Sequence, residues 1–230
     1  MSKEAPTPDL SSRRLSADRL YWAAIAGVVL YVILDVVAQA LPPHYSPIRD
    51  AESDLAVGPF GFIMAINFLN RGLLSFAFIT AVAKSVELSG GTRSPLKNGR
   101  LLLGIWAAGA ILLALFPTDV PATPVSWHGS IHLIVAIVAF VAGAFGTLVL
   151  ARHLEGTAFG SLKTPAMALG GLAVLLLVVD FFAPFVAPHF AGNYGGLLER
   201  LFLGSVLLWI LVVSAYMVLH RTRVEPGTYP

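Results

Sequence analysis

Polar residues along this chain fall in a few short intervals, and between them lie six apolar runs, at about 21–41, 59–83, 101–117, 126–150, 165–187 and 197–219. Each is close to the roughly 17 to 25 residues that a helix needs to cross a bilayer's hydrocarbon layer. The pattern predicts an all-α membrane protein, a six-transmembrane-helix bundle, because only a structure that satisfies its own backbone can sit in lipid. Six such helices leave no stretch able to bury a separate soluble core. Residues 21–220 therefore read as one transmembrane domain, with 1–20 a mobile cytoplasmic tail and 221–230 a second cytoplasmic tail.

Composition agrees. Hydrophobic residues make up 57% of the chain and charged residues 12%, and mean hydropathy is +0.78, whereas a water-soluble domain carries about a quarter charged residues. The absence of cysteine excludes disulfides, thiolate ligands and a cysteine nucleophile. "VVAQALPP" at 36–43 has the look of a signal-peptidase site, but the long polar leader and Asp35 within the apolar run argue against cleavage.

Charge sets the expected orientation. Lys3, Arg13, Arg14 and Arg19 precede the first run; Lys84, Arg93, Lys97 and Arg100 flank the second connection; Arg152 and Lys163 flank the fourth; Arg221 and Arg223 follow the last. Against these twelve, the alternate loops carry only Arg49. Short basic loops stay cytoplasmic, so both termini are expected inside. The pI near 9.0 then reflects topology and contact with anionic membrane lipids, and nucleic acid is not an expected partner.

Depth along each helix follows from the rise of about 1.5 Å per residue. Asp35 is about 21 Å along the first helix, Asn67, Asn70 and Arg71 roughly 12 to 18 Å down the second, and Asp180 about 21 Å along the fifth. His128 and His132 occupy the first two turns of the fourth helix, Glu199 and Arg200 open the sixth, and Asp119 follows the third. These groups lie between the midplane and the outer surface. A charge near the bilayer centre costs about 2.5 to 3.5 kcal/mol on an insertion scale. Pairing is therefore expected, of Arg71 with Asp180 or Glu199 and of Arg200 with Asp35 or another acid. Small-residue faces at Gly104/Ala108, Ala139/Gly143/Thr147 and Ala166/Gly170 would allow close helix approach. Above them, "LPPHYSPIRDAESDLAVGPFG" at 41–61 suggests a short surface helix covering the pocket, its Asp50, Glu52 and Asp54 forming a solvated face.

Four segments, "ESDLAVG" at 52–58, "LLLGIWAAGAILLALFPTD" at 101–119, "WHGSIHLIVAIVAF" at 127–140 and "GLLERLFLGSVLLWI" at 196–210, together resemble the bacterial membrane family catalogued as domain of unknown function 998. The resemblance covers about residues 22–220. It implies a six-helix bundle in a bacterial inner membrane and draws attention to Ser53, Asp54, Asp119, His132 and the Glu199/Arg200 pair, without assigning them an activity.

Chemistry is less determined than architecture. His128 and His132, at i and i+4, share a helix face and have the spacing of two zinc ligands. With a carboxylate completing the site and Ser53 or Asp54 assisting as catalytic groups, this would be a metal-assisted hydrolase of a lipid ester or amide. A polar network that fixes helix register needs only hydrogen bonds. Retinal is excluded because Lys3, Lys84, Lys97 and Lys163 all lie outside the spans. The leading expectation is an outward-facing pocket of Asp35, Asn67, Arg71, Asp119, Asp180, Glu199 and Arg200 that binds or handles a lipid or small amphiphile. The hydrolase, with zinc, is the alternative, and a structural or regulatory role without catalysis is the second; a homo-oligomer is left open.

Overall fold

The computed structural model describes residues 10–41, 45–88, 96–120, 123–154 and 160–220, with no strand among them. Its helices are α1 (Leu10–Gln39), α2 (Gly61–Leu88), α3 (Lys97–Leu113), α4 (Trp127–Arg152), α5 (Lys163–Val186) and α6 (Pro188–His220). Two short 3-10 turns, Glu52–Ala56 and Gly160–Leu162, stand in the connections. Each helix packs on its neighbours in sequence and α1 packs on α6, so the six close into a ring.

The distribution of side chains is that of a protein solvated by lipid. Phe62, Leu73, Leu133, Ile134 and Phe185 project outward, whereas Asn67, Arg71, Thr147 and Ser214 are each at most 1% exposed. An apolar exterior around a polar interior is stable only where the solvent is hydrocarbon. Among the described residues five helices are long and apolar enough to cross a membrane; α3, with 17 residues, is the short one.

Two boundaries differ from those expected. The helix α1 starts at Leu10 instead of 21 because its first turns pack: Ala17 and Tyr21 are fully buried, and Lys84 Nζ donates to Ser16 Oγ at 2.5 Å. The helix α6 starts at Pro188 instead of 197, with proline at the first helical position, where its missing N–H costs nothing. The tail at 221–230 and residues 1–9 lie outside the described residues.

Close approach is achieved through small residues, though not all of those expected. A Cβ on Gly143 would meet Trp106 Cε3 at 2.6 Å, and one on Gly109 would meet Ala139 Cβ at 2.6 Å. A Cβ on Gly170 would touch the α4 backbone at 3.1 Å. The Gly104/Ala108 face is a correction: a Cβ on Gly104 meets nothing within 4 Å and Ala108 is exposed. Helical periodicity sends Leu103, Trp106 and Ala110 inward, and with them the neighbouring Gly109, leaving 104 and 108 toward lipid.

Gly143→Ala is therefore expected to lower stability by about 1 to 3 kcal/mol through overpacking against Trp106. Gly104→Ala should stay within about 0.5 kcal/mol of the parent. Thermal unfolding in detergent, followed by circular dichroism, checks both; equal responses contradict this packing.

Candidate functional site

The segment 45–56 is fastened across the ends of α1, α2 and α6, chiefly by Arg200. Its Nη1 donates to the carbonyls of Pro47 at 3.1 Å and Asp50 at 3.2 Å, and its Nη2 donates to the Tyr45 hydroxyl. The same guanidinium lies over the Tyr45 ring, 5.2 Å from its centroid. Tyr45 Oη in turn reaches the carbonyls of Asp50 and Ala51 at 2.9 and 2.7 Å. Glycine makes the fit: a Cβ on Gly196 would fall 2.2 Å from the Asp50 carbonyl oxygen, and one on Gly61 2.2 Å from that of Ala56. The amides of Gly196 and Leu197 donate to Arg49 and Ile48 carbonyls at 3.2 and 2.9 Å.

Beneath this cover lie three carboxyls, Glu52 buried and Asp35 and Glu199 half-buried. Tyr31 donates its hydroxyl hydrogen to Glu52 Oε1, and the Glu52 amide donates to Glu199 Oε2 at 2.8 Å. Asp35 Oδ1 lies 3.8 Å from Arg200 Nη2, and Asp35 Oδ2 accepts from Gln39 Nε2 at 2.5 Å. The expected Arg200–Asp35 pairing is thus present. Glu52 is 2% exposed, and burial first, then the Asp35 charge, pushes its carboxyl up to about 7. Asp54, half-buried on the same turn, is pushed up to about 6 by burial and by Asp50. Burial also raises the Tyr45 hydroxyl.

Glu52 is not part of a solvated face, as the acidic run suggested. In a 3-10 turn residues three apart eclipse, so Glu52 lies on the side of Leu55, and both are buried. That spacing was readable. Tyr31, Asp35 and Gln39 likewise recur every four residues on one face of α1, a signal that points to Tyr31.

Arg71 lies deeper and is 1% exposed. Its guanidinium sits 4.7 Å from the Trp106 ring centroid and 5.2 Å from that of Phe68. Trp106 Nε1 donates to Ser75 Oγ at 3.2 Å, and Ser75 donates to the Arg71 carbonyl at 2.8 Å, which holds the aromatic wall in place. Arg71 Nε and Nη2 have no hydrogen-bond partner. The expected pairing with Asp180 or Glu199 is not found: among the described residues Arg71 forms no ion pair. Asp180 is on α5, which packs on α4 and α6, while α2 packs on α1 and α3. Glu199 is engaged by the Glu52 amide. Tyr31, Glu52 and His132 lie within electrostatic reach of Arg71. Beside them, Asn67 donates to the Tyr31 carbonyl at 3.1 Å, and its Oδ1 has no partner.

The two histidines have separate tasks. Asp119 accepts from the Ser126 hydroxyl at 2.6 Å and the Ser126 amide at 2.8 Å, bonds that lower its pKa. Ser126 caps α4 by accepting from the Gly129 amide at 3.0 Å. With its one hydrogen given to Asp119, Ser126 Oγ must accept from His128 Nδ1 at 2.9 Å. A Cβ at 129 would lie 2.1 Å from Asp119 Oδ2, so glycine there leaves room for the carboxylate to hold Ser126. His132 is 4% exposed and donates from Nδ1 to the Phe116 carbonyl at 2.7 Å, not to an acid. No group of three or more His, Asp or Glu positioned to hold a metal occurs among the described residues.

The family profile described as protein of unknown function, DUF998, matches residues 25–216. The chain belongs to this family. The match spans every residue of the two polar clusters, from Tyr31 to Arg200, so the arrangement lies wholly within the DUF998 region. No curated protein and no solved structure matches the chain.

Of the residues expected in the pocket of this DUF998 protein, Asp35, Asn67, Arg71, Glu199 and Arg200 gather under the 45–56 segment. Asp180 is within electrostatic reach of Glu199 but makes no hydrogen bond among the described residues. Asp119 and His128 form the cap of α4, and Ser53 and Asp54 share the 3-10 turn with Glu52. Among the described residues Ser53 has no side-chain hydrogen bond to a base.

The raised Glu52 fixes the sign of a pH effect. Its folded-state pKa lies above the ordinary 4.5, so its stabilising contribution is complete below that value and is lost as pH rises through about 7. The interval corresponds to about 3 kcal/mol. Thermal unfolding near pH 5 and near pH 8 should show the parent weakening with pH, and Glu52→Gln should make that slope shallower. An unchanged slope in Glu52→Gln contradicts the assignment.

Proposed function

We propose that this protein binds the anionic headgroup of a lipid or similar small amphiphile in the polar end of its helix ring, beneath the 45–56 segment. Arg71 carries the reading: it is 1% exposed, with Nε and Nη2 unpartnered. Buried polar groups are almost always hydrogen-bonded, and a buried guanidinium needs an anion more than most. Contact with two aromatic faces contributes about 0.5 to 2 kcal/mol, which leaves the open N–H donors unmet. A phosphate or carboxylate oxygen would meet them, as guanidinium geometry favours. The carboxyls of Asp35, Glu52 and Glu199 rim the entrance, and access requires the segment held by Arg200 to lift.

In this reading all six helices span. The 17 residues of α3 rise about 26 Å, and the following turn to Phe116 extends the crossing. Both termini face the cytoplasm of a bacterial cell, the membrane is the inner one, and the 45–56 segment faces out. The twelve-to-one distribution of lysine and arginine between the two sets of loops supports this orientation.

Mass spectrometry of the organic extract from protein purified in mild detergent tests the proposal. The parent is expected to carry an anionic amphiphile that Arg71→Gln loses by about tenfold or more, since a hydrogen bond to a charged group contributes about 1.5 to 3 kcal/mol. Arg71→Lys, keeping the charge without the planar fork, should fall between. Equal anionic content in parent and Arg71→Gln, both folded, contradicts the function.

A further inference from the structure

At the opposite end of the α1–α2 pair is a groove of about 460 Å³. Its polar lining is Arg19, Lys84, Ser12, Ser16 and Thr80, and two leucines complete it. No acid lines it. Lys84 Nζ donates to Ser16 Oγ at 2.5 Å, which uses one of three ammonium hydrogens and leaves the serine hydroxyl hydrogen free. Arg19 is exposed, and among the described residues neither Arg19 nor Lys84 forms an ion pair.

The groove opens onto an apolar path. Thr80, Phe76 and Leu73 follow at helical spacing along α2, with Phe76 39% and Leu73 64% exposed to the surrounding lipid. On α1, Trp22 stands three residues beyond Arg19 and is 57% exposed, the disposition of an aromatic side chain at a membrane interface. Two cations and a free hydroxyl donor at the interface, continued by an apolar strip toward the bilayer centre, match a molecule with an anionic head and an acyl tail.

We infer that this groove is a binding site for the phosphate of an anionic phospholipid, held by Arg19, Lys84 and Ser16, with an acyl chain along Phe76 and Leu73. It is separate from the Arg71 site. Free inorganic phosphate shares the head chemistry but has no use for the apolar strip.

Native mass spectrometry of the delipidated full chain, titrated with dioleoyl phosphatidylglycerol or dioleoyl phosphatidylcholine, tests the assignment. Phosphatidylglycerol should bind more tightly, and Arg19→Gln with Lys84→Gln should weaken it by about 25-fold, roughly fivefold for each cation. Arg19→Lys with Lys84→Arg should retain binding, and Arg71→Gln should leave it unchanged, so the two sites fail separately. Arg13→Gln with Arg14→Gln removes the same charge from the same end of α1 outside the groove and should have a much smaller effect. Equal weakening by that control pair reveals diffuse surface attraction and overturns the site. Equal affinity for the two lipids, or displacement of phosphatidylglycerol by inorganic phosphate at matched concentration, also overturns it. Circular dichroism of each variant separates lost binding from lost fold.

Discussion

A guanidinium enclosed in a ring of helices, with an apolar exterior on every side, is the constraint around which this molecule is arranged. Arg71 is buried away from water, and among the described residues no carboxylate pairs with it. The protein surrounds it with what a low-dielectric interior can offer short of an anion: the faces of Phe68 and Trp106, the dipoles of Asn67 and Tyr31, and the distant charge of Glu52. Glu52 is itself held back, because burial and the neighbouring Asp35 favour its protonated form. One cation too few partners and one acid too reluctant to ionise together define a site incomplete until an anion enters.

Arg200 contrasts with Arg71 in the partners of its terminal nitrogens. Its Nη1 and Nη2 are engaged by the carbonyls of Pro47 and Asp50, the Tyr45 hydroxyl and the nearby Asp35, and only its Nε is left without a partner. Its task is to clamp a segment whose backbone would otherwise present bare carbonyls to the membrane surface. Glycines at 61 and 196 let that segment descend onto α2 and α6 until Glu52 faces inward. Two arginines at different depths thus divide the work, one spent on structure and one left open for a ligand. In the connection from α3 to α4, Asp119, Ser126 and His128 are committed to starting α4, and His132 to anchoring the turn at Phe116.

Helix number and approximate extent were legible because a membrane helix must be apolar for most of its length, and apolar runs can be counted. The ends of α1 and α6 were not, because beyond the hydrocarbon a helix can be polar; the glycines and asparagine at 192–196 read as loop although Pro188 marks a helix start. The Arg200–Asp35 pairing was legible. Azimuth was not: rise along an axis says how deep Arg71 lies but not that it turns between two rings and away from α5. Glu52 was hidden by its acidic neighbours, since reading it inward requires recognising a three-residue period over a five-residue turn.

An experimental density map at side-chain resolution around Arg71, from protein purified with its native lipids, tests the central claim most directly. Non-protein density from an anionic group within hydrogen-bonding distance of Nε and Nη2, between the rings of Phe68 and Trp106, is the expected result. A protein carboxylate paired with the guanidinium, and no density for a ligand, would contradict it.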